Sequence, residues 1–153
     1  MPLDEPAVTF RPALRTDLAR VVELIADDDV ARERTGTFGA AHVAGFEAIE
    51  ASPNDELVLA VLDDEVVGVM QLTFVPGVSR NGATRLLVEA VRVDARRRGR
   101  GIGRALMEHA HARGRERGAA LAQLTSDKQR PDAHRFYRSL GYAQSHEGFK
   151  LTL

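Results

Sequence analysis

Seven consecutive residues, Arg98-Gly99-Arg100-Gly101-Ile102-Gly103-Arg104, have the composition of an anion site. They follow an apolar segment ending in Val91-Arg92-Val93-Asp94 and lead into an amphipathic run that starts at Ile102. A strand, a glycine-rich turn and a helix start, in that order, aim several backbone N–H groups and the positive end of a helix dipole at one point. Glycine tolerates positive φ and lets the backbone approach an anion closely. Arginine adds charge-assisted hydrogen bonds to phosphate oxygens. A pyrophosphate is the natural guest. A dinucleotide fingerprint needs a third glycine where Arg104 stands, and an acidic residue after a second strand, which is lacking. A P-loop needs a Gly-Lys-Ser/Thr ending, also absent. The plainest alternative is a solvated basic turn at a helix start.

Glu89 is the one carboxylate in the otherwise largely apolar stretch Ala83–Val93. Partial desolvation there would raise its pKa and suit it to accept a proton. An ion pair with Arg85 or Arg92, or a place at a sheet edge, explains the residue equally well. The five histidines, His42, His109, His111, His134 and His146, read as surface or packing residues, with His134 also a candidate proton shuttle. His109 and His111 stand two apart on one predicted helix, so they face different sides and cannot share a metal. No H-E-x-x-H spacing occurs, and with no cysteine there is no thiolate ligand, covalent acyl carrier or disulfide.

The elements that would position these groups follow from periodicity. Val8–Arg11 reads as a short strand ended by Pro12. Thr16 reads as the N-cap of a helix whose Leu18, Val21, Val22 and Ile25 share one face. Residues 30–40 read as a loop, and Val43, Phe46 and Ile49 predict a second helix ended by Ser52-Pro53-Asn54-Asp55. Leu57–Leu62 and Val66–Phe74 form a hairpin across Asp63-Asp64-Glu65. A loop over Pro76–Gly82 and a strand over Ala83–Val93 come next. The helix over Ile102–Arg117 ends at Gly118, and Ala119–Thr125 is a buried strand. Pro131 starts a helix with Ala133, Phe136, Tyr137 and Leu140 on one face, closed by Gly141. Phe149–Leu153 alternates as a last strand would. The order is βααβββαβα plus one or two terminal strands, a mixed α/β domain on a central sheet.

Two motifs carry a family resemblance. Arg98-Gly99-Arg100-Gly101-Ile102-Gly103 resembles the acetyl-coenzyme A signature Q/R-x-x-G-x-G/A of the GNAT superfamily of N-acetyltransferases, and Val91-Arg92-Val93-Asp94 resembles that family's strand end. Ala133-His134-Arg135-Phe136-Tyr137-Arg138-Ser139-Leu140-Gly141-Tyr142 is similar to its A-x-x-F-Y-x-x-x-G-F/Y helix and turn. The motifs lie a helix and a strand apart, as in the family, so the resemblance covers nearly the whole chain, residues 1–153. It implies a mostly antiparallel central sheet with helices on both faces. It also implies an acetyl-CoA co-substrate, with its pyrophosphate on the amides from Gly99 to Arg104 and its pantetheine arm along Val91, Arg92 and Val93. Tyr137 matches the family tyrosine that protonates the departing thiolate, a task a neutral phenol suits; otherwise it is an amphipathic helix residue anchored by its hydroxyl. Acids on the strand of Glu89 often assist amine deprotonation in that family. Where the family often has Asn, three residues before the motif alanine, this chain has Arg130. Arg130 or Lys128 then either reaches a phosphate or is a surface charge.

The resemblance implies acetyl transfer to a primary amine of a small molecule or a protein, by direct attack in a ternary complex. A non-catalytic acyl-CoA sensor or partner-binding module is the other reading. Acceptor choice in the family lies in the N-terminal half, where Asp27-Asp28-Asp29 and Glu33 could attract a cationic amine. A formal net charge of -1 and few aromatics speak against a nucleic-acid partner. Met1-Pro2-Leu3-Asp4-Glu5 has neither a basic nor an apolar leader region, and no apolar run approaches the ~20 residues of a membrane span. A cytoplasmic enzyme without metal is expected, as a monomer or a homodimer.

Overall fold

Strand propensity and hairpin chemistry build the sheet first. The computed structural model describes residues 7–153; the segment Met1–Glu5, read above for a leader, lies outside the described residues. β1 (Thr9–Pro12), β2 (Asp55–Leu62), β3 (Glu65–Val75), β4 (Thr84–Val93) and β5 (Ala119–Gln123) form one open sheet in sequence order. The first four are antiparallel, and β5 runs parallel to β4. Asp63 and Asp64 take φ of 50° and 63°, the left-handed pair that a tight two-residue hairpin requires. β1 ends at Pro12, which is its last residue and lies at the sheet edge where a missing N–H is tolerated.

A parallel neighbour needs a crossover, and α5 (Ile102–Glu116) supplies it. Its Ile102, Leu106, Met107 and Ala110 are buried. A Cβ on Gly68 of β3 would lie 3.0 Å from Leu106 Cδ1 and 3.3 Å from the Ala60 Cβ, so this face of the sheet receives α5. The opposite face presents Leu57, Leu59 and Val69 to Leu18, Val21 and Leu24 of α1 (Leu18–Ile25) and Phe46 of α3 (Ala40–Ala51). Helices therefore cover both faces, as expected.

Three local expectations are corrected. Residues 30–40 are not all loop: α2 (Asp29–Thr35) forms because the Asp28 carboxylate accepts the Ala31 N–H at 2.7 Å. Thr16 is not the cap of α1. A 3-10 turn over Arg15–Asp17 precedes it, and Asp17 accepts the Leu14 N–H at 2.7 Å while pairing with Arg11 at 2.7 Å. Within the β3–β4 loop, a one-turn α4 (Ser79–Gly82) holds Arg80 and Asn81 in left-handed conformations.

The chain divides into two compact units, Met1–Gln123 and Leu124–Leu153. The second contains α6 (Pro131–Ser139), which starts on Pro131 and is followed by Gly141 at φ 96°. The last strand expected at Phe149–Leu153 does not form. Leu124–Leu153 contains no second strand to pair with it, and an isolated strand leaves its backbone groups unpaired. Phe149, Leu151 and Leu153 are exposed. Among the described residues, no helix is long and apolar enough to cross a membrane.

Candidate active site

β4 carries an extra residue. Val69 opposes Arg92 and Gln71 opposes Glu89, so two steps along β3 match three along β4. That bulge falls at Ala90, whose φ is 52°. A bulge bends its strand and re-aims the side chains beside it. β5 pairs with β4 only from Thr84 to Leu87. From Val88 to Val93, β4 has β3 on one side and no ladder partner on β5. This half-strand offers backbone donors and acceptors to an extended amide-bearing ligand.

The open half of β4 runs directly into the anion loop. Gly99 and Gly101 have φ of 78° and 77°, and neither would have a neighbour within 4 Å of an added Cβ. The loop needs glycine for its positive-φ backbone conformation. Gly101 is the N-cap of α5, with no side-chain cap. The first-turn amides of such a helix have no acceptor within it, which leaves them for an anion.

Arg96, Arg97, Arg98, Arg100 and Arg104, crowded in the sequence, differ in their ion pairing. Arg96 and Arg97 pair with Glu65 at 3.1 and 2.8 Å, tying the loop to the start of β3. Arg98 pairs with Asp27, beyond the end of α1. Among the described residues, no ion pair engages Arg100 or Arg104, both exposed beside the glycines. Asp94 is the buried charged residue at the hinge between β4 and the loop. Its carboxylate accepts from the Arg96 N–H at 2.9 Å, the Arg96 Nη2 at 2.9 Å and the Arg20 Nη2. These bonds, those of Arg96 first, hold the Asp94 carboxyl far below the usual carboxylate range. Arg20 also donates from Nε to the Val66 carbonyl at 3.1 Å, so one guanidinium spans α1, β3 and the end of β4. A cleft of about 250 Å³ lies among Arg20, Glu23, Asp27, Asp94 and Arg96.

Glu89 is exposed, not buried as expected. It lies next to the buried Val88 on β4, so its side chain points to the uncovered face of the strand. It makes no ion pair with Arg85 or Arg92 among the described residues, and Arg92 instead donates to the Val91 carbonyl at 2.9 Å. Glu89 thus sits on the bulge with its carboxylate toward solvent. The acidic patch is dispersed: Asp27 pairs with Arg98, Asp28 caps α2, and Asp29 pairs with Arg32 at 2.9 Å.

Glu89, Val91 to Val93, Arg98 to Arg104 and Asp27 all belong to the first unit, and Tyr137 belongs to the second. On α6, the Tyr137 ring lies 5.3 Å from Phe136 and 6.1 Å, edge-on, from Tyr142. Burial pushes the Tyr142 phenol up to about 12, which keeps it neutral. The His134 Nε2 lies 2.8 Å from the Asp127 carbonyl, which ties the ring to the α6 entry. Lys128 faces Glu147 at 3.9 Å, both exposed. Arg130 is the N-cap of α6 and gives no side-chain cap bond. His109 stacks on Phe10 at 4.4 Å, and His42 bridges Gly39 and Thr35. Among the described residues, no group of three His, Asp or Glu is placed to hold a metal.

The sequence missed Arg20, Glu65 and the Asp27–Arg98 pair. Asp94 was legible as a polar residue closing a strand, but its partner Arg20 lies 74 residues away along the chain.

A family model described as acetyltransferase (GNAT) family matches residues 19–142. The chain belongs to that family. An aminoalkylphosphonate N-acetyltransferase of Salmonella typhimurium is 37% identical over 109 residues, spanning 71% of this chain and 70% of the relative. Among solved structures, a Bacillus halodurans protein described as a transcriptional regulator is 42% identical with a TM-score of 0.92, covering 96% of this chain and all 100% of its own. A candidate acetyltransferase from Agrobacterium tumefaciens is 27% identical with a TM-score of 0.83, over 95% and 99% of the two chains. The open β4 edge and the glycine loop of this GNAT chain are where its first sequence motif lies.

Proposed function

We propose that this chain is an acetyl-CoA-dependent N-acetyltransferase, its two units acting as one domain on a primary amine. The observation that supports this most directly is the half-strand Val88–Val93, without a β5 partner, feeding a loop with Gly99 and Gly101 left-handed at the start of a 15-residue helix. The amides from Gly99 to Arg104 would hold the diphosphate, with Arg98, Arg100 and Arg104 adding charge. The backbone of Val91, Arg92 and Val93 would pair with the pantetheine amides, and an N–H there would polarise the thioester carbonyl.

The amine nitrogen attacks that carbonyl directly, since no cysteine is present to carry the acyl group. The N–C bond forms, the C–S bond breaks, and the Tyr137 hydroxyl gives its proton to the departing thiolate. Water, or Glu89 facing solvent on the bulge, takes the proton from the amine. A small aminoalkylphosphonate is the first acceptor to test, given the Salmonella relative. Absence of cysteine suits a reducing compartment such as the cytoplasm.

Acetyl-CoA at millimolar concentration should raise the melting temperature. Tyr137→Phe should lower kcat about a hundredfold while leaving CoA affinity within about twofold. Thiol release from acetyl-CoA over a panel of amines reads the rate, and calorimetry reads the affinity. No thermal shift would remove the coenzyme reading, and an unchanged kcat would remove Tyr137 as the acid.

A further inference from the structure

We infer that helix α1 governs the anion loop through two side chains acting in opposite directions: Arg20 positions the loop for a diphosphate, and Asp27 occupies the arginine that the diphosphate needs. This inference rests on the coenzyme reading above and adds residues from a helix that carries neither sequence motif.

Arg20 is placed to hold the hinge. Its guanidinium binds the Asp94 carboxylate and the Val66 carbonyl together, while the Asp94 N–H donates to the Val67 carbonyl at 2.8 Å. Asp94 in turn fixes the 3-10 turn Ala95–Arg97 through the Arg96 N–H. The loop begins at the next residue, Arg98. The direction in which its amides point is therefore set by a bridge from α1, because the glycines themselves have no side chains to brace them. Removing Arg20 leaves a buried carboxylate short of a partner, and the hinge must shift or solvate to compensate.

Asp27 acts at the tip. Among the described residues, of the loop arginines Arg98, Arg100 and Arg104 only Arg98 has an ion-pair partner, the Asp27 carboxylate. A carboxylate and a phosphate oxygen compete for the same donor face of a guanidinium. An anion that takes the Nη2 donor face of Arg98 displaces Asp27, so the ion pair lowers the apparent affinity for a ligand binding that face.

The test uses free CoA as the probe and isothermal calorimetry as the readout, on the full chain. Arg20→Met should weaken CoA binding about tenfold, with Arg20→Lys recovering part of the loss. Hydrogen exchange in the ligand-free Arg20→Met protein should accelerate at residues 94–103 and stay unchanged in β2 and β3. Asp27→Asn should tighten CoA binding about twofold to fivefold, the range expected when a partly exposed ion pair no longer competes. In an Arg98→Met background, Asp27→Asn should have no effect. Faster exchange throughout the sheet in Arg20→Met would make Arg20 a general stabiliser and overturn its positioning role. Weaker or unchanged CoA binding in Asp27→Asn would overturn the competition. If the unaltered protein fails to bind CoA at all, the coenzyme reading itself falls, a result distinct from either.

Discussion

Asp94 shows how one residue ties charge, burial and function together. A carboxylate with a depressed folded-state pKa stabilises the protein at pH above its unfolded value of ~3.9, and that contribution fades as pH falls below it. Asp94 belongs to this class, held down by Arg96 and Arg20. Asp94→Asn keeps an oxygen for the Arg96 N–H but loses the charge. Urea unfolding at pH 7 and pH 3 should show the unaltered protein losing more stability between the two than the variant. Equal losses would mean that Asp94 titrates normally in the fold. Glu89 teaches the reverse lesson. Its neighbours made it look buried, but an apolar stretch does not reveal which face of the strand is covered. Val88 is buried and Glu89 is exposed although both lie beyond the β5 ladder, so the covered face of β4 decides.

At the scale of elements, most of the framework was legible because periodicity and turn chemistry agree. The hairpin at Asp63-Asp64, the α5 crossover and the Pro131 helix start all combine a local signal with a fitting apolar pattern. α2 was missed because its stabilising feature, the Asp28 cap, sits in an acidic run that reads equally well as a patch. The bulge at Ala90 was invisible, since alanine carries no signal for a φ of 52°. Close packing between elements also leaves testable marks. A Cβ on Gly68 would meet the Arg92 carbonyl at 3.2 Å as well as Leu106. Gly68→Ala must therefore move backbone on β4 next to the bulge, and should destabilise the fold by about 1–3 kcal/mol, read by denaturant midpoint. A neutral result would mean that β3 and β4 have slack there.

For the whole molecule, family membership was legible because two motifs stood at the right separation, and the family match spans residues 19–142. The end of the chain was not. Phe149–Leu153 alternates like a strand, yet alternation supplies no partner, and its apolar side chains are exposed. Phe149→Ser and Leu151→Ser should then each change unfolding stability by less than about 0.5 kcal/mol, as exposed sites do. A loss above about 1 kcal/mol would show that these side chains are buried in solution.

The kink at Ala90 has a consequence for colony behaviour among many copies of the chain. A flat, vacant strand flank invites neighbouring molecules to zip onto it and grow fibres. Here the half-strand beyond the β5 ladder is short and bent at the bulge, with the charges of Glu89 and Arg92 on either side. A foreign strand would lose register within a few residues. The distortion at Ala90 thus discourages self-assembly along this strand.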